Sequence, residues 1–139
     1  MNAILHGVGT DMCDLRRIEQ VWQRHGRRFA QRVLGERELV VFEARRARHA
    51  ARGIAYLGTR FAAKEALSKA LGLGLRMPMT WRACEILNAA DGRPQVHLHG
   101  ELALWCAQRR LRLHVSISDE VHSAVAFALA ETLPPGVGP

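Results

Sequence analysis

The sequence predicts a chain of both helices and strands, because two kinds of apolar pattern occupy separate stretches of it. Residues 14–71 repeat apolar side chains at spacings of three and four, the mark of helices. Short alternating runs bounded by turn residues stand at the N-terminus, around Asp91-Gly92 and near the C-terminus, the mark of strands. A chain of 139 residues that is 48% hydrophobic and 24% charged is long enough for one core and short for two. One domain is expected over residues 1–133, followed by a disordered tail at 134–139, "PPGVGP".

"AILHGVGTD" reads as a short strand that ends on Asp11, with Gly7 and Gly9 admitting the backbone of a neighbour. In "DLRRIEQVWQRHG", Leu15, Ile18, Val21 and Trp22 keep helical spacing, Asp14 is the N-cap and Gly26 the stop. Arg16, Arg17, Arg24, Arg27 and Arg28 lie mostly off that apolar stripe. Helical segments follow at 29–34 and 36–46, then a long one at about 52–71 that ends at Gly72. "WRACEILNAADGRPQVHLHG" reads as two strands joined through Asp91-Gly92, with Val96 and Leu98 on one face and His97 and His99 on the other. A short helix, "ELALWCAQRR", comes next. The strand "LRLHVSIS" alternates, whereas "SAVAFALAE" is apolar on both faces, as a central strand is.

Composition narrows the function classes. Cys13, Cys84 and Cys106 are odd in number and far apart, without a C-x-x-C pair, so they read as buried thiols in a reducing compartment rather than as a disulfide framework or a zinc site. "MNAILHGVGTDM" has no basic n-region, its apolar run is broken by Gly7, Gly9 and Asp11, and no stretch reaches bilayer length. A cytoplasmic location is expected, with no membrane partner. The net charge of +7 is concentrated: residues 16–60 hold twelve arginines against four acids. Such a surplus attracts an acidic partner, either nucleic acid or protein, or forms a solvated face.

The two lysines of the chain both fall within "RFAAKEALSKALGLG". On a helical wheel Ala62, Ala63, Ala66, Leu67 and Ala70 share one side, and Lys64, Glu65, Ser68 and Lys69 share an opposite arc of roughly 140°. Two ammonium groups, a hydroxyl and a carboxylate suit a metal-bound phosphate ester, since lysine meets phosphate as a point charge and a carboxylate holds a hard divalent cation. Magnesium takes one or two protein carboxylates, so Glu65 needs a second ligand from elsewhere. Asp11 is the best candidate, because the acids of 16–60 stand among arginines and Asp91 belongs to a turn. Taken alone, "KEALSK" is more commonly a solvated helix face with a Glu65–Lys69 pair, and "GLGLG" lacks the ending of a P-loop. His97 with His99, and His114 with Ser116 and Ser118, read as polar strand faces.

Three blocks in order, "GVGTDMCDLRRI", "RFAAKEALSKALGLG" and "HVSISDE" followed by "AVAFALAE", resemble the small bacterial 4'-phosphopantetheinyl transferases, the holo-[acyl-carrier-protein] synthase family, over nearly the whole chain. The resemblance implies transfer of phosphopantetheine from coenzyme A to a serine of apo acyl carrier protein, with release of adenosine 3',5'-bisphosphate. It implies an α+β fold, a small, mainly antiparallel sheet packed against one long helix and shorter helices. It assigns magnesium to Asp11 and Glu65, the phosphates to Lys69 and the nucleotide end to Arg60. Lys64 and Ser68 join the cofactor-binding set through the arc they share with these residues. Lys69 and Glu65 are then the catalytic pair. By position the resemblance places the carrier protein on Arg17, Arg24 and Arg28, and it implies a homotrimer with active sites at subunit interfaces. Two departures stand out: Asp119 and Glu120 where many members have His-Thr, and Thr59 where glycine is common.

Two other readings compete. A nucleic-acid-binding module would use the arginines of 16–60, but gives Asp11 and the lysine-flanked Glu65 no role. A noncatalytic trimeric scaffold is the second, and the intact Asp11–Glu65 pair argues against it. Magnesium separates them, since transfer needs the cation and nucleic-acid binding does not.

Overall fold

The computed structural model describes residues 4–136. Its elements are β1 (Ile4–Asp14), α1 (Leu15–His25), α2 (Arg27–Val33), α3 (Glu36–Arg48), α4 (Ala50–Leu71), a 3-10 turn at Trp81–Ala83, β2 (Cys84–Asn88), β3 (Pro94–Leu98), α5 (Gly100–Gln108), β4 (Leu111–Asp119) and β5 (Ser123–Thr132). The fold is α+β, as the resemblance implies, with the helices and strands that the two patterns predict. Of the tail, 137–139 lie outside the described residues, and Pro134 accepts a hydrogen bond from Arg110 (2.6 Å).

β5 is the central strand of an antiparallel sheet ordered β1-β5-β4, which explains its apolar residues on both faces. Ala124, Ala126, Ala128 and Ala130 are buried on one face, while Val125 and Phe127 on the other are 44% and 43% exposed. The Asp91-Gly92 turn joins β2 and β3 as expected, with Gly92 at φ 90, in the left-handed region that favours glycine.

α4 packs its alanines on the alanine face of that sheet, so that two surfaces without bulky side chains meet closely. The approach is closest at β1: a Cβ on Gly7 would stand 2.2 Å from the carbonyl oxygen of Ala70, and one on Gly9 2.1 Å from that of Ala66. On its other side α4 packs with α1–α3, where Ile18, Val33, Leu34, Phe42, Tyr56 and Leu57 form a second apolar cluster. Each large aliphatic or aromatic side chain fully buried there stabilises the fold by about 1.5–3 kcal/mol. The helix ends are local and follow the sequence: Asp14 caps α1 through the amide of Arg16, and Gly72, at φ 77, ends α4.

Two expectations change. β1 does not end at Asp11 but pairs with β5 through Asp14, so Asp11 lies within the strand, opposite Ala126. α4 is not a helix with one wet face, because elements cover it on both sides and most of its residues are buried. Its polar side chains therefore meet protein partners rather than a shared solvent arc.

Candidate active site

Paired residues on neighbouring antiparallel strands point to the same face of a sheet, so Asp11 projects with Ala126 toward α4. β1 runs past α4 in the opposite sense, with Gly7 at Ala70, Gly9 at Ala66 and Cys13 hydrogen-bonded to the carbonyl of Gly58. This alignment sets Asp11 against the turn of α4 that carries Glu65 and Lys69. Lys69 Nζ lies 3.5 Å from Asp11 Oδ1 and donates to Thr10 O at 2.7 Å, with its side chain 53% exposed. Burial and the charge of Asp11 both push the Glu65 carboxyl above its usual range, and Lys69 offsets only part of this. A carboxyl whose ionisation is made costlier by burial and a neighbouring carboxylate, at a half-open surface with one lysine beside it, is a place where added positive charge is stabilised. Among the described residues no group of three His, Cys, Asp or Glu side chains comes together. A cation held by Asp11 and Glu65 would thus keep most of its positions for water or substrate oxygens, which is the habit of magnesium and not of structural zinc.

Lys64 and Ser68 do not share this face. Lys64 is fully buried, and its ammonium donates to Val33 O (2.6 Å), Glu38 Oε1 (2.7 Å) and Trp81 O (2.8 Å). Ser68 is buried too, and its hydroxyl turns back to the carbonyl of Glu65 at 2.7 Å. The helical arc is real, but α2, α3 and the 3-10 turn roof over half of it.

Arg60 occupies a second place, five residues before Glu65 on α4. It is 3% exposed, lies over the ring of Tyr56 at 4.0 Å, and donates to Ile86 O (3.0 Å), Thr59 Oγ1 (3.1 Å) and Asn88 Oδ1 (3.2 Å). Burial lowers the pKa of its guanidinium without discharging it. Thr59 helps to fix Arg60 rather than displace it, because its hydroxyl also donates to Tyr56 O at 2.8 Å. Around Arg60 opens a pocket of about 190 Å³ lined among others by Arg45, Arg52, Tyr56, Asn88 and Asp119. Arg45, Arg52, Tyr56 and Asn88 belong to none of the motifs that the sequence singles out. The stripe 52, 56, 60 at helical spacing was the available signal; Asn88, at the end of a distant strand, gave none.

Arg17, Arg24 and Arg28 are exposed, the first two spaced seven residues apart on one side of α1 and the third in the first turn of α2. Much of the remaining arginine surplus is engaged inside the chain. Arg16 pairs with Asp14, Arg27 with Glu43 and Arg37 with Glu85, while Arg45 and Arg46 lie over Tyr56 and Trp22. The three cysteines are free, and burial pushes Cys13 and Cys106 to about 11 and Cys84 to about 12. No helix among the described residues is long and apolar enough to cross a membrane.

Residues 7–127 match the family model of the 4'-phosphopantetheinyl transferase superfamily. The chain is 62% identical over 129 residues to the holo-[acyl-carrier-protein] synthase of Leptothrix cholodnii, covering 93% of this chain and 98% of that protein. The crystal structure of holo-[acyl-carrier-protein] synthase from Neisseria meningitidis superposes with a TM-score of 0.86 at 35% identity, over 93% of this chain and 100% of that one. The enzyme from Bacillus anthracis, solved in complex with CoA (3',5'-ADP), superposes with a TM-score of 0.77 at 30% identity, over 92% of this chain and 97% of that one.

Proposed function

Because the chain belongs to the 4'-phosphopantetheinyl transferase superfamily, as a transferase of the holo-[acyl-carrier-protein] synthase kind, we propose that it moves phosphopantetheine from coenzyme A to a serine of apo acyl carrier protein, magnesium-dependently, and releases adenosine 3',5'-bisphosphate. The observation that carries this reading is the convergence of Asp11, Glu65 and Lys69 from β1 and α4 on one accessible spot. Asp11 and Glu65 would hold the cation. When bound, magnesium supplies positive charge to the pyrophosphate as a Lewis acid.

The side chains do the rest by position. Lys69 sets an ammonium beside the carboxylates, where it meets charge building on the phosphates as the carrier's serine oxygen attacks the β-phosphorus and the bond to the bisphosphate nucleotide breaks. Arg60 stands five residues before Glu65, about 7–8 Å along the axis of α4 and roughly 140° around it, and with Arg45 and Arg52 around its pocket it offers positive charge suited to the nucleotide end of the substrate. Asp119 in that pocket leaves the local balance positive, because three guanidiniums face one carboxylate. The exposed Arg17, Arg24 and Arg28 suit an acidic carrier protein, which they would steer and orient.

Self-association is supported by the face of the sheet turned away from α4, which carries Val8, Met12, Val125 and Phe127 at 49%, 70%, 44% and 43% exposure. We assign this face to a homotrimer with active sites at its subunit interfaces. The three free thiols fit the reducing cytoplasm, where the product would serve fatty acid and lipid biosynthesis. Nucleic-acid binding is the weaker reading, since it leaves Asp11 and Glu65 without work and much of the arginine surplus is engaged internally.

The test is to incubate the protein with coenzyme A, magnesium and apo acyl carrier protein, and weigh the carrier by intact-mass spectrometry. A gain of one phosphopantetheine, abolished by chelator, is expected; no gain with several carriers overturns the proposal.

A further inference from the structure

Lys64 spends all three ammonium protons on acceptors from three separate segments: the end of α2 (Val33 O), α3 (Glu38 Oε1) and the 3-10 turn (Trp81 O). None remains for a substrate oxygen. Glu38 is buried as completely and also accepts from Gly35 N (2.9 Å) and Ile86 N (2.8 Å), tying α3 to β2. Glu85 of β2 extends the lattice, accepting from the amides of Arg37 and Glu38 and bonding His99 at 2.8 Å. Lys64 thus pins α4 directly to the end of α2, α3 and the 3-10 turn, and through Glu38 to β2, beside the separate tie of Arg60 to Ile86 O and Asn88.

The next residue along the helix is Glu65. On the opposite side α4 is fixed by backbone contact with Gly7 and Gly9 of β1, the strand that carries Asp11. The two grips together set the rotation of α4 about its axis, and hence the placement of Glu65 against Asp11. With side chains ~5–6 Å from the axis, a rotation of ~10° moves a carboxylate by ~1 Å. A displacement of that size can cost about a hundredfold in rate.

We infer that Lys64 is a positioning residue, which holds Glu65 at Asp11 through the buried ion pair with Glu38 and does not itself touch substrate. This rests on the transferase reading, because the object positioned is the proposed metal pair.

The test compares Lys64→Met with Lys64→Met/Glu38→Gln, the second removing the stranded carboxylate charge as well. Three readouts are needed on the folded fraction: kcat and KM for coenzyme A, thermal stability, and Mn2+ binding followed by electron paramagnetic resonance. Lys64→Met should lower kcat about 10- to 100-fold and weaken Mn2+ binding, with KM for coenzyme A nearly unchanged, and the double variant should recover part of both losses. A KM for coenzyme A raised about tenfold with Mn2+ binding intact would place Lys64 on the substrate instead. A lowered melting temperature with kcat and Mn2+ binding unchanged would leave Lys64 a purely structural residue. Either result overturns the inference. Should wild-type protein modify no carrier, the transferase reading fails, while the Mn2+ titrations still decide whether Lys64 governs the Asp11–Glu65 pair.

Discussion

Gly9→Ala probes the contact on which the site depends. A Cβ at this position would stand 2.1 Å from the carbonyl oxygen of Ala66, 2.8 Å from Lys69 Cβ and 2.9 Å from Ala70 N, and real contacts to a Cβ essentially never fall below 3.0 Å. The nearest obstacle is helix backbone, so β1 and α4 must part by at least the missing 0.9 Å. Overpacking of this kind costs about 1–3 kcal/mol. For a domain of this length that lowers the melting temperature by about 3–12 °C. Asp11 stands two residues further along the same strand, so the separation also carries it from Lys69, from which it now lies 3.5 Å. A shift near 1 Å at a reacting centre corresponds to about a hundredfold in rate. The assay is the rate of carrier mass gain at saturating coenzyme A, beside a thermal melt. Gly7→Ala is the control: its Cβ would meet Ala70 O at 2.2 Å, a similar clash four residues from Asp11, so it should cost similar stability and less activity. Transfer by Gly9→Ala within threefold of wild type, despite a lowered melting temperature, would refute the claim that this contact sets the site.

Other outcomes follow from the same structure. Burial and Asp11 raise the pKa of Glu65, so this group adds stability below the unfolded carboxylate pKa and loses it as pH rises through the folded value. Metal-free Glu65→Gln should therefore melt above wild type at neutral pH, with the difference vanishing in acid; melts in chelator across that range check it. Arg52→Ala should raise KM for coenzyme A about tenfold and Asp119→Asn should lower it, because they remove opposite charges from one pocket; steady-state kinetics decides, and equal effects of the two would count against a nucleotide phosphate there. If the open apolar face carries the proposed homotrimer, Phe127→Asp should give monomers in sedimentation velocity by placing a charge on it, and trimers retained by the variant would count against that face.

What the sequence made legible was local. Caps at Asp14, Gly26 and Gly72 act within a few residues, and the apolar residues on both faces of β5 announce a central strand. Gly7 and Gly9 were readable as points of close approach, though not what approached. The fate of Lys64 was not readable, because its acceptors lie 17, 26 and 31 residues away in sequence and assemble only when α2, α3 and the 3-10 turn close over the helix. A helical wheel places Lys64 and Lys69 on one arc, yet tertiary covering makes the first a buried pin and leaves the second half exposed. The Arg60 pocket failed for the same reason: Tyr56 is within one helical turn, whereas Asn88 is 28 residues away.

On the proposed function, transfer requires a cation held by Asp11 and Glu65. The most direct measurement is Mn2+ binding to wild type, Asp11→Asn and Glu65→Gln in the presence of coenzyme A, with carrier mass gain recorded on the same samples. Wild type should bind Mn2+ and modify the carrier, and either substitution should abolish both. Full binding and transfer in Glu65→Gln would contradict that role for the pair.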